Sequence, residues 1–406
     1  MKVYIVTPES FPYGMAAVQR IRCYAKAILL GGLDCEIVCY RRFPKEFAKG
    51  DTCVSANGES EGIPYSYMGN TPIRHNNPFV RKALDYWDKF SALKYLNKSI
   101  KKGDIIFWYC GSDVSFTLRL FSMVKAKGAY VVRDLCELPY GTKEETPQAI
   151  KNRKIVLSKQ FPLLDGVVVI SDTLGELAKS YCNSQCEIVK VPIMVDFNKY
   201  ELDDKSSEET IPYIFHSGTL KEQKDGILGV FEAFGKASQK LEHPIKFIST
   251  GKIDKSPHKR EILDLIEKYN LQDKLIFTGY LTDDELRDKL SHASLVIINK
   301  YRTQQNKYCF STKLGEYMAA SKPVIITNVG EAMNYLKAGD NAYIVESENN
   351  DALALAIVNA FNHLDEARMV GVNGKKTCRE NFDYRSQSKV LCDFLKSISS
   401  KSDDKD

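Results

Sequence analysis

Short apolar segments alternate with amphipathic segments along nearly the whole chain, and this alternation limits the folds that the sequence can adopt. Val3–Val6 has the length of a buried strand, and Met15–Leu30 repeats its apolar residues with a period close to 3.6. Gly31 and Gly32 mark the end of that helix. Strands that alternate with helices form a parallel sheet covered by helices on both faces. The pattern therefore predicts an α/β fold.

The alternating pattern occurs twice. The first series predicts further strands at Cys35–Tyr40, Ile105–Tyr109, Tyr130–Val132 and Val167–Ile170. After the polar segment Lys199–Thr210, the second series predicts strands at Tyr213–His216, Ile245–Ile248, Leu275–Thr278, Leu295–Ile298, Pro323–Ile326 and Ala342–Val345. We therefore predict two Rossmann-like, doubly wound parallel-sheet lobes with a cleft between them. Ligands of such sheets bind beyond the carboxyl ends of the strands.

The composition changes along the chain suggest the domain boundaries. We predict an N-terminal domain at 1–198, a linker at 199–211, a C-terminal domain at 212–380, a helix at 381–397 that returns to the N-terminal domain, and a disordered tail at 398–406. The tail is polar, and polar chain ends without a docking partner are usually disordered.

The 11 cysteines and the start of the chain bear on the cellular compartment. An odd number of scattered cysteines favours reduced thiols that pack as small apolar groups, although Cys35/Cys39 and Cys182/Cys186 also have the spacing of half a metal site. The apolar run near the N-terminus is too short for a signal-peptide core. We therefore expect a cytoplasmic protein.

Positive charge is concentrated in the first half. Residues 1–200 hold 28 Lys and Arg and 20 Asp and Glu, which gives a net charge of +8. Residues 201–406 hold the remaining 29 Lys and Arg and 32 Asp and Glu, which gives −3. This excess fits an anionic ligand or a lipid surface better than nucleic acid. The segment Arg74–Lys102 contributes eight basic and two acidic residues, and Trp87, Phe90 and Ile100 are predicted to share one helical side. It is either a face for an anionic membrane or an ordinary solvated helix.

No motif indicates a bound cofactor or metal. A dinucleotide enzyme needs GxGxxG after its first strand, and the corresponding loop, Tyr13–Ala17, has one glycine, Gly14. An Asp-x-Asp pair that could hold Mg²⁺ or Mn²⁺ on a diphosphate occurs at Asp404 and Asp406, in the predicted tail. We therefore expect neither an organic cofactor nor a metal.

The segment Tyr308–Ile326 has features of a nucleotide site. Ser311 or Thr312 is predicted to cap a helix, and the free amides of a first helical turn attract anions. Glu316 lies one turn later, on the same face as Lys313, where a carboxylate can accept hydrogen bonds from two ribose hydroxyls. The alternative is that Glu316 is an acid that merely favours the helix dipole.

A second segment, Tyr213–Gly226, is a strand, a glycine turn at Gly218 and a loop that carries Lys224. An ammonium ion at the mouth of a sheet can neutralise a diphosphate leaving group in place of a metal. His216 lies inside the strand and is interpreted as a buried core histidine.

Together these segments resemble the group 1 (family 4) glycosyltransferases of the two-lobed GT-B fold. The resemblance spans nearly the whole chain and is strongest at Ser217–Ala233 and Ser311–Gly330, where Lys-Leu-Gly-Glu-Tyr-Met-Ala-Ala-Ser-Lys-Pro-Val-Ile follows the family pattern. It implies metal-independent, retaining transfer of a sugar from a nucleotide-diphosphate sugar to a hydroxyl acceptor, such as a saccharide or lipid-linked saccharide. Assembly of bacterial surface polysaccharide or another glycoconjugate is the setting expected by analogy.

The resemblance also assigns roles to residues. It makes Glu316 the ribose-binding glutamate, Lys224 the lysine on the donor diphosphate, and Ser311 and Thr312 the positions whose amides hold phosphate. By the same resemblance, the loop with Gly14 and Met15 approaches the donor and the acceptor.

Two positions depart from the family pattern. Gly-Arg-Leu is here Gly218-Thr219-Leu220, so one phosphate-binding arginine is missing, and Lys313 is the candidate replacement. A second glutamate, eight residues before the ribose one, is here Tyr308. The family's first-lobe histidine falls near Arg133 and Glu137, which we expect either to face the acceptor or to form a surface salt bridge.

Two other functions stay open at this point. A nucleotide-sugar 2-epimerase has the same two-lobed fold but needs an acid/base pair around the sugar, and no clear pair is evident. A non-catalytic protein that binds nucleotide sugar, or that partners a true transferase, would explain the changes at Thr219 and Tyr308.

Overall fold

The computed structural model of the protein describes residues 1–44, 55–69, 71–109, 111, 113–141, 145–201 and 211–400. The chain forms two compact units. Unit 1 consists of Met1–Met194 together with the segment that starts at Tyr384, and unit 2 consists of Val195–Asp383. Both units are α/β structures built on a mainly parallel sheet, as the alternating pattern predicts.

The described part of unit 1 contains an eight-stranded sheet in the order β3-β4-β2-β1-β5-β6-β7-β8. Its strands are β1 (Lys2–Thr7), β2 (Asp34–Cys39), β3 (Asn57–Ser60), β4 (Ile63–Tyr67), β5 (Ile105–Tyr109), β6 (Tyr130–Leu135), β7 (Gly166–Val169) and β8 (Glu187–Lys190). All neighbours are parallel except β3, which pairs antiparallel with β4. The strand order reverses at β1, so the carboxyl ends of β1 and β5 lie at the switch point of the sheet.

Helices cover this sheet. They are α1 (Ala16–Leu30), α2 (Pro78–Ser99), α3 (Val114–Ala126), α4 (Pro147–Gln160) and α5 (Asp172–Lys179), and unit 1 also includes the last helix, α14 (Tyr384–Ser400). The apolar side of α1, which includes Val18, Ile21 and Ile28, is fully buried in the core. None of the described helices is long and apolar enough to cross a membrane.

Helix α14 packs on α1 within unit 1. The hydroxyl of Ser388 donates to the carbonyl of Ala27 at 2.6 Å. A Cβ at Gly31 would lie 2.2 Å from the sulfur of Cys392, so only glycine allows this close approach at the end of α1. The terminal helix observed at Tyr384–Ser400 corresponds to the one predicted at 381–397.

Some predicted boundaries differ from the structure. Unit 1 ends at Met194 rather than 198, because Val195 donates its amide to Phe382 in unit 2 at 2.8 Å. Part of the predicted linker, 199–201, continues a short 3₁₀ helix, Phe197–Tyr200, and 202–210 lie outside the described residues. The tail predicted from 398 is helical as far as Ser400, where Ile398 is buried, and 401–406 lie outside the described residues.

The described part of unit 2 has a six-stranded sheet, all parallel, in the order β11-β10-β9-β12-β13-β14. The strands are β9 (Tyr213–His216), β10 (Lys246–Ser249), β11 (Leu275–Phe277), β12 (Leu295–Ile298), β13 (Val324–Thr327) and β14 (Tyr343–Val345). The helices are α6 (Glu222–Asp225), α7 (Ile227–Ser238), α8 (Lys259–Tyr269), α9 (Asp283–Ser291), α10 (Gln304–Tyr308), α11 (Thr312–Ala319), α12 (Asn350–Asn362) and α13 (Leu364–Asn381).

The order of this second sheet locates its ligand position. The chain adds β10 and β11 on one side of β9 and β12 to β14 on the other, so the switch point lies between β9 and β12. At such a point the crossover connections leave in opposite directions and open a crevice beyond the strand ends. The residues that follow His216 and Ile298 therefore define where a ligand of unit 2 is expected.

Candidate active site

The turn at the carboxyl end of β9 is tightly packed. A Cβ placed on Gly218 would lie 2.5 Å from Cε1 of His216 and 2.8 Å from Oδ2 of Asp225. Leu220 follows with φ of 52°, a left-handed conformation that disfavours leucine, and its side chain is nevertheless fully buried. The hydroxyl of Ser256 donates to its carbonyl at 2.8 Å. The chain is therefore held close to the strand end by strained backbone and by the absence of a side chain at Gly218.

Helix α11 begins near this turn without a side-chain cap. Ser311 has the extended backbone of an N-cap residue, but its hydroxyl makes no capping hydrogen bond, and Thr312 is the first helical residue. In α9, by contrast, Thr282 and Glu285 form a complete capping box. Amides of a first turn that lack a side-chain acceptor are available to an external anion.

Glu316 lies one turn into α11 and is half-buried. Its carboxylate has no hydrogen-bond partner among the residues that the structure describes. Burial raises the pKa of Glu316 to about 7; the ammonium of Lys313 opposes this shift and the carboxylate of Asp283 adds to it. An acceptor that is half-buried and unpaired is suited to a ligand that donates hydrogen bonds.

Tyr317, the next residue, connects α11 to the glycine turn. Its phenol oxygen accepts the amide of Ser217 at 3.0 Å and lies 3.1 Å from the Ser217 hydroxyl. Tyr317 is fully buried. The position of Glu316 is therefore fixed relative to the turn after β9.

Lys313, Asp225 and His216 form a cluster beneath the turn. The ammonium of Lys313 donates to Asp225 Oδ1 and lies 3.5 Å from Nε2 of His216, whose Nδ1 is 3.2 Å from the hydroxyl of Ser249. Burial lowers the pKa of His216 to about 3; Lys313 adds to this shift and Asp225 opposes it. Burial acts to raise the pKa of Asp225, but Lys313 and His216 outweigh it and bring that pKa to about 2. The histidine is therefore neutral and the aspartate ionised.

Lys224 and Thr219 are both exposed. Lys224 lies on the short helix α6, and its side chain contacts no acid among the described residues. Its carbonyl oxygen accepts a hydrogen bond from the ammonium of Lys300. Thr219 occupies the turn without contributing a cation.

The structure thus brings most of the predicted unit 2 residues to one place. Gly218 contacts Asp225, Asp225 binds Lys313, and Lys313 precedes Glu316 by three residues on α11. Ser311 and Thr312 begin the same helix. All of them lie beyond the carboxyl ends of β9 and β12.

The predicted unit 1 residues divide into exposed and buried ones. Gly14 and Met15 lie in the loop before α1: a Cβ on Gly14 would lie 2.4 Å from Val18, and Met15 is 61% exposed. Glu137 is exposed in the loop that follows β6. Burial raises the pKa of Glu9; Arg41 opposes this shift and Glu137 adds to it, so Glu9, Arg41 and Glu137 are neighbours.

Arg133 requires a correction. It is 5% exposed inside β6, where its guanidinium donates to Gln160 Oε1 at 2.5 Å and stacks 5.3 Å from the ring centre of Phe161. The alternative of a surface salt bridge is therefore wrong, because the side chain is buried, whereas a role of Arg133 toward an acceptor stays a prediction. The neighbouring Asp134 is also buried, and it accepts from Tyr24 at 2.5 Å and from Arg20 at 3.2 Å.

Sequence reasoning missed several groups of the site. The sequence does not single out Lys300, Asp225 or Tyr317, and it indicates only a core position for His216. For Lys300 a signal existed, because it follows a strand next to β9 and polar residues at that position face the ligand crevice. No local signal distinguishes Asp225 from the exposed residues around it.

No group of three or more His, Cys, Asp or Glu side chains in the described residues is arranged to hold a metal ion. Cys35, Cys39, Cys182, Cys378 and Cys392 are free thiols. The absence of a metal requirement stays a prediction.

Comparison with protein families supports the resemblance in the C-terminal half. Residues 198–377 match the model of the family described as glycosyl transferases group 1. An uncharacterized glycosyltransferase of Methanocaldococcus jannaschii is 26% identical over 243 residues, which cover 57% of this chain and 59% of the relative. N-acetyl-alpha-D-glucosaminyl L-malate synthase of Bacillus anthracis is 23% identical over 184 residues, 45% of this chain and 44% of that protein. The matched part is thus less than two thirds of either relative.

Solved structures match the chain over almost its full length. Sucrose-phosphate synthase from Thermosynechococcus elongatus superposes with a TM-score of 0.73 at 15% identity and covers 98% of this chain and 99% of its own. Anabaena HepE in complex with UDP gives a TM-score of 0.70 at 14% identity, with 98% and 100% covered. The two units with their parallel sheets therefore constitute the GT-B fold of glycosyltransferases.

Proposed function

We propose that this protein is a retaining glycosyltransferase that moves a sugar from a nucleoside-diphosphate sugar to an acceptor hydroxyl. The observation that carries the proposal is the unpaired, half-buried carboxylate of Glu316, one turn beyond the uncapped start of α11. A ribose with two adjacent hydroxyls can satisfy this carboxylate while the diphosphate meets the amides of Ser311 and Thr312. The match of 198–377 to group 1 glycosyltransferases supports the same conclusion.

In the proposed reaction the bond from the anomeric carbon to the diphosphate breaks and a bond to the acceptor oxygen forms on the same face. The departing oxygen gains negative charge, which Lys224, Lys313 and the first amides of α11 stabilise. The acceptor proton passes to the departing diphosphate. Unit 1 supplies the acceptor side of the proposal through Gly14, Met15 and Glu137. Retention and the polysaccharide or glycoconjugate setting rest on the family resemblance.

The donor is tested first by measuring binding of UDP, GDP, ADP and dTDP. UDP complexes of HepE make UDP the first candidate. With the donor known, Glu316→Ala is expected to raise its KM at least tenfold, and Lys224→Ala to lower kcat. Full activity of both variants would refute the assigned site. The anomeric configuration of the product, read by NMR, tests retention, and EDTA is expected to leave the rate unchanged.

Two competing functions are decided by the same assays. Donor incubated alone yields an epimer if the protein is a 2-epimerase, and NMR of the sugar detects it. A protein that only binds nucleotide sugar shows neither transfer nor donor hydrolysis above background. Epimerisation needs an acid/base pair at a sugar carbon, and His216 is neutral and buried beneath the turn, which favours transfer over epimerisation.

We also propose that helix α2 places the enzyme at an anionic membrane. Its exposed side chains include Phe79, Tyr86, Trp87 and Phe90, at 85, 71, 60 and 52% exposure. At ~100° per residue, these four aromatic residues lie within about 100° of one another on one side of the helix. The opposite side is buried, whereas Ile100, predicted to share the aromatic side, ends the helix and is 4% exposed.

The charges of α2 fit a negatively charged partner. Its two acids are compensated from other segments, since Arg42 binds Asp88 at 2.8 Å and Arg41 lies 4.0 Å from Asp85. Four exposed cations of the helix have no acid partner among the described residues: Arg81, Lys82, Lys94 and Lys98. Aromatic rings between unpaired cations are typical of surfaces that bind anionic lipid, whereas two such surfaces would repel each other.

Sedimentation with lipid vesicles tests this location. The protein is expected to bind vesicles of phosphatidylcholine with 30% phosphatidylglycerol and not pure phosphatidylcholine. Phe79→Ser/Trp87→Ser/Phe90→Ser and Lys82→Glu/Lys94→Glu are each expected to abolish binding without changing nucleotide affinity. Leu355→Ser/Met369→Ser, which changes exposed apolar residues of unit 2, is the control and should bind as before. Equal binding by all variants would contradict the assignment of α2.

A further inference from the structure

We infer that Lys300 and Lys313 together form the cation pair that holds the donor diphosphate, and that Asp225 is the counter-ion of Lys313 until the diphosphate arrives. The inference rests on the proposed function and deepens it, because it names the groups that meet the phosphates. The sequence predicts Lys224 as the cation on the diphosphate, and in the structure the carbonyl oxygen of Lys224 accepts a hydrogen bond from Lys300.

Lys300 is held at the switch point of unit 2. It follows β12, which pairs with β9 through Leu295 and Ile214. Its amide donates to Thr327 Oγ1 at 2.7 Å, and its carbonyl accepts from the same hydroxyl at 2.9 Å and from Ser347 at 2.8 Å. A backbone fixed from two further strand ends limits where the ammonium can go, so its position is prepared before a ligand binds.

The ammonium of Lys300 has capacity for an anion. Among the described residues, its hydrogen-bond partner is the carbonyl oxygen of Lys224, which is neutral. A lysine ammonium carries three N–H donors, and two of them remain for phosphate oxygens. The hydrogen bond to Lys224 places the Lys300 ammonium at the carboxyl end of α6, which is followed by Gly226.

Lys313 approaches the same point from α11. Its side chain is 22% exposed, whereas that of its partner Asp225 is 6% exposed. Lys300 also acts on this group electrostatically. Burial raises the pKa of Asp225, whereas Lys313, His216 and, to a smaller extent, Lys300 lower it. Burial lowers the pKa of Lys313, and the carboxylate of Asp225 opposes that shift. With Lys313 protonated, two lysines face the single carboxylate of Asp225 next to a neutral His216.

An excess of positive charge at a partly buried strand end favours an added anion. A diphosphate near the amides of α11 would neutralise both ammonium groups and weaken the hold of Asp225 on Lys313. Asp225 cannot move far, because it lies against Gly218 and its helix ends at Gly226 in a left-handed conformation. It therefore competes with the diphosphate for Lys313.

Calorimetric titration tests the inference with whichever of UDP, GDP, ADP and dTDP binds tightest, together with the matching nucleoside. Lys300→Met is expected to weaken the diphosphate at least tenfold and the nucleoside less than twofold. Lys307→Met, an exposed lysine of α10, is the matched control and should leave both unchanged. Diphosphate affinity equal to wild type in Lys300→Met would overturn the inference.

The variant Asp225→Asn shows whether Asp225 competes with the diphosphate for Lys313 or only supports the structure of the site. Because it removes the competing charge but keeps the shape, it is expected to tighten diphosphate binding about threefold or more; weakened binding would overturn the counter-ion role. Lys313→Met leaves Asp225 buried without a partner, so the double variant Asp225→Asn/Lys313→Met is compared with Asp225→Asn and should bind at least tenfold more weakly. If no nucleoside diphosphate binds the wild type, the proposed function itself fails.

Discussion

The phenol of Tyr317 accepts the backbone amide of Ser217 at 3.0 Å, and this contact joins helix α11 to the turn after β9. The two residues are 100 positions apart in the chain. Because Glu316 directly precedes Tyr317, the contact sets the distance between the candidate ribose acceptor and the glycine turn. The candidate site is thus formed by two segments, and the buried side chain of Tyr317 fixes their relative position.

Removal of that hydroxyl should affect stability and ligand binding together. In Tyr317→Phe the amide and hydroxyl of Ser217 lose a buried partner, which costs about 1–3 kcal/mol. Denaturant unfolding should show this loss, and titration should show weaker nucleoside diphosphate binding. Tyr269→Phe is the control, because its hydroxyl has no hydrogen-bond partner among the described residues of unit 2 and its loss should change neither quantity.

Glu316→Gln should stabilise the protein at alkaline pH while weakening donor binding. The folded pKa, about 7, lies above the ordinary value of 4.5, so the folded state binds the proton more tightly. The stabilisation from that proton is complete below pH 4.5 and disappears as the pH rises through 7. The variant should therefore exceed wild type by about 1–2 kcal/mol at pH 8 and match it near pH 4.5.

Donor affinity provides the second half of that test. Wild-type affinity should rise between pH 5.5 and 8 as Glu316 ionises, whereas Glu316→Gln should bind more weakly with a flatter profile. Glu267→Gln, on the exposed side of α8, should behave as wild type in both assays. A wild-type stability that is independent of pH in this range would argue against a buried, protonatable Glu316.

His216 should make the protein sensitive to acid. Its folded pKa of about 3 lies below the ordinary value of 6.5, so the unfolded chain binds the additional proton between these values. Stability should fall as the pH drops below 6.5, by about 3 kcal/mol at pH 4.5. Urea unfolding at pH 7.5 and 4.5 should show a smaller loss in His216→Gln, while His258→Gln, at the protein surface, should retain the full loss.

Gly218→Ala should disturb the turn directly. The added methyl would lie 2.5 Å from the ring of His216 and 2.8 Å from the carboxylate of Asp225, contacts that require both groups to move. We expect a loss of about 1–3 kcal/mol in unfolding free energy, together with weaker diphosphate binding. Gly175 lies in helix α5, and the new methyl of Gly175→Ala would lie 3.6 Å from Val169, so no loss of unfolding free energy is expected. Equal unfolding free energies of the two variants would show that the turn at Gly218 can accommodate a methyl group, which would contradict its tight packing.

The sequence predicted the parts of this structure that depend on local pattern. Each predicted strand overlaps an observed one, because apolar runs in a parallel sheet are buried on both faces. Strand β3, Asn57–Ser60, was missed because it is a polar edge strand without an apolar run. Strands β4 and β8 were not predicted either; β8 is a half-buried edge strand.

The candidate site was predicted only in part, for a related reason. Glu316 and the start of α11 follow a recognisable segment, and the structure places them beside the turn at Gly218. The pairing of Lys313 with Asp225 joins residues 88 positions apart and leaves no local signal. Arg133 looked like a surface residue because charged side chains are rarely buried, and only the packing of Gln160 and Phe161 around it shows otherwise.

The last helix has a consequence for how the chain is made. Because α14 packs on α1, the amino-terminal unit gains a core helix only from residues synthesised after the whole of Val195–Asp383. Unit 2 is one uninterrupted segment whose two ends meet at Val195 and Asp383, so it can complete its own fold first. Chains that are truncated before Tyr384 and released from the ribosome should therefore contain a protease-resistant second unit and a first unit that is still open to cleavage.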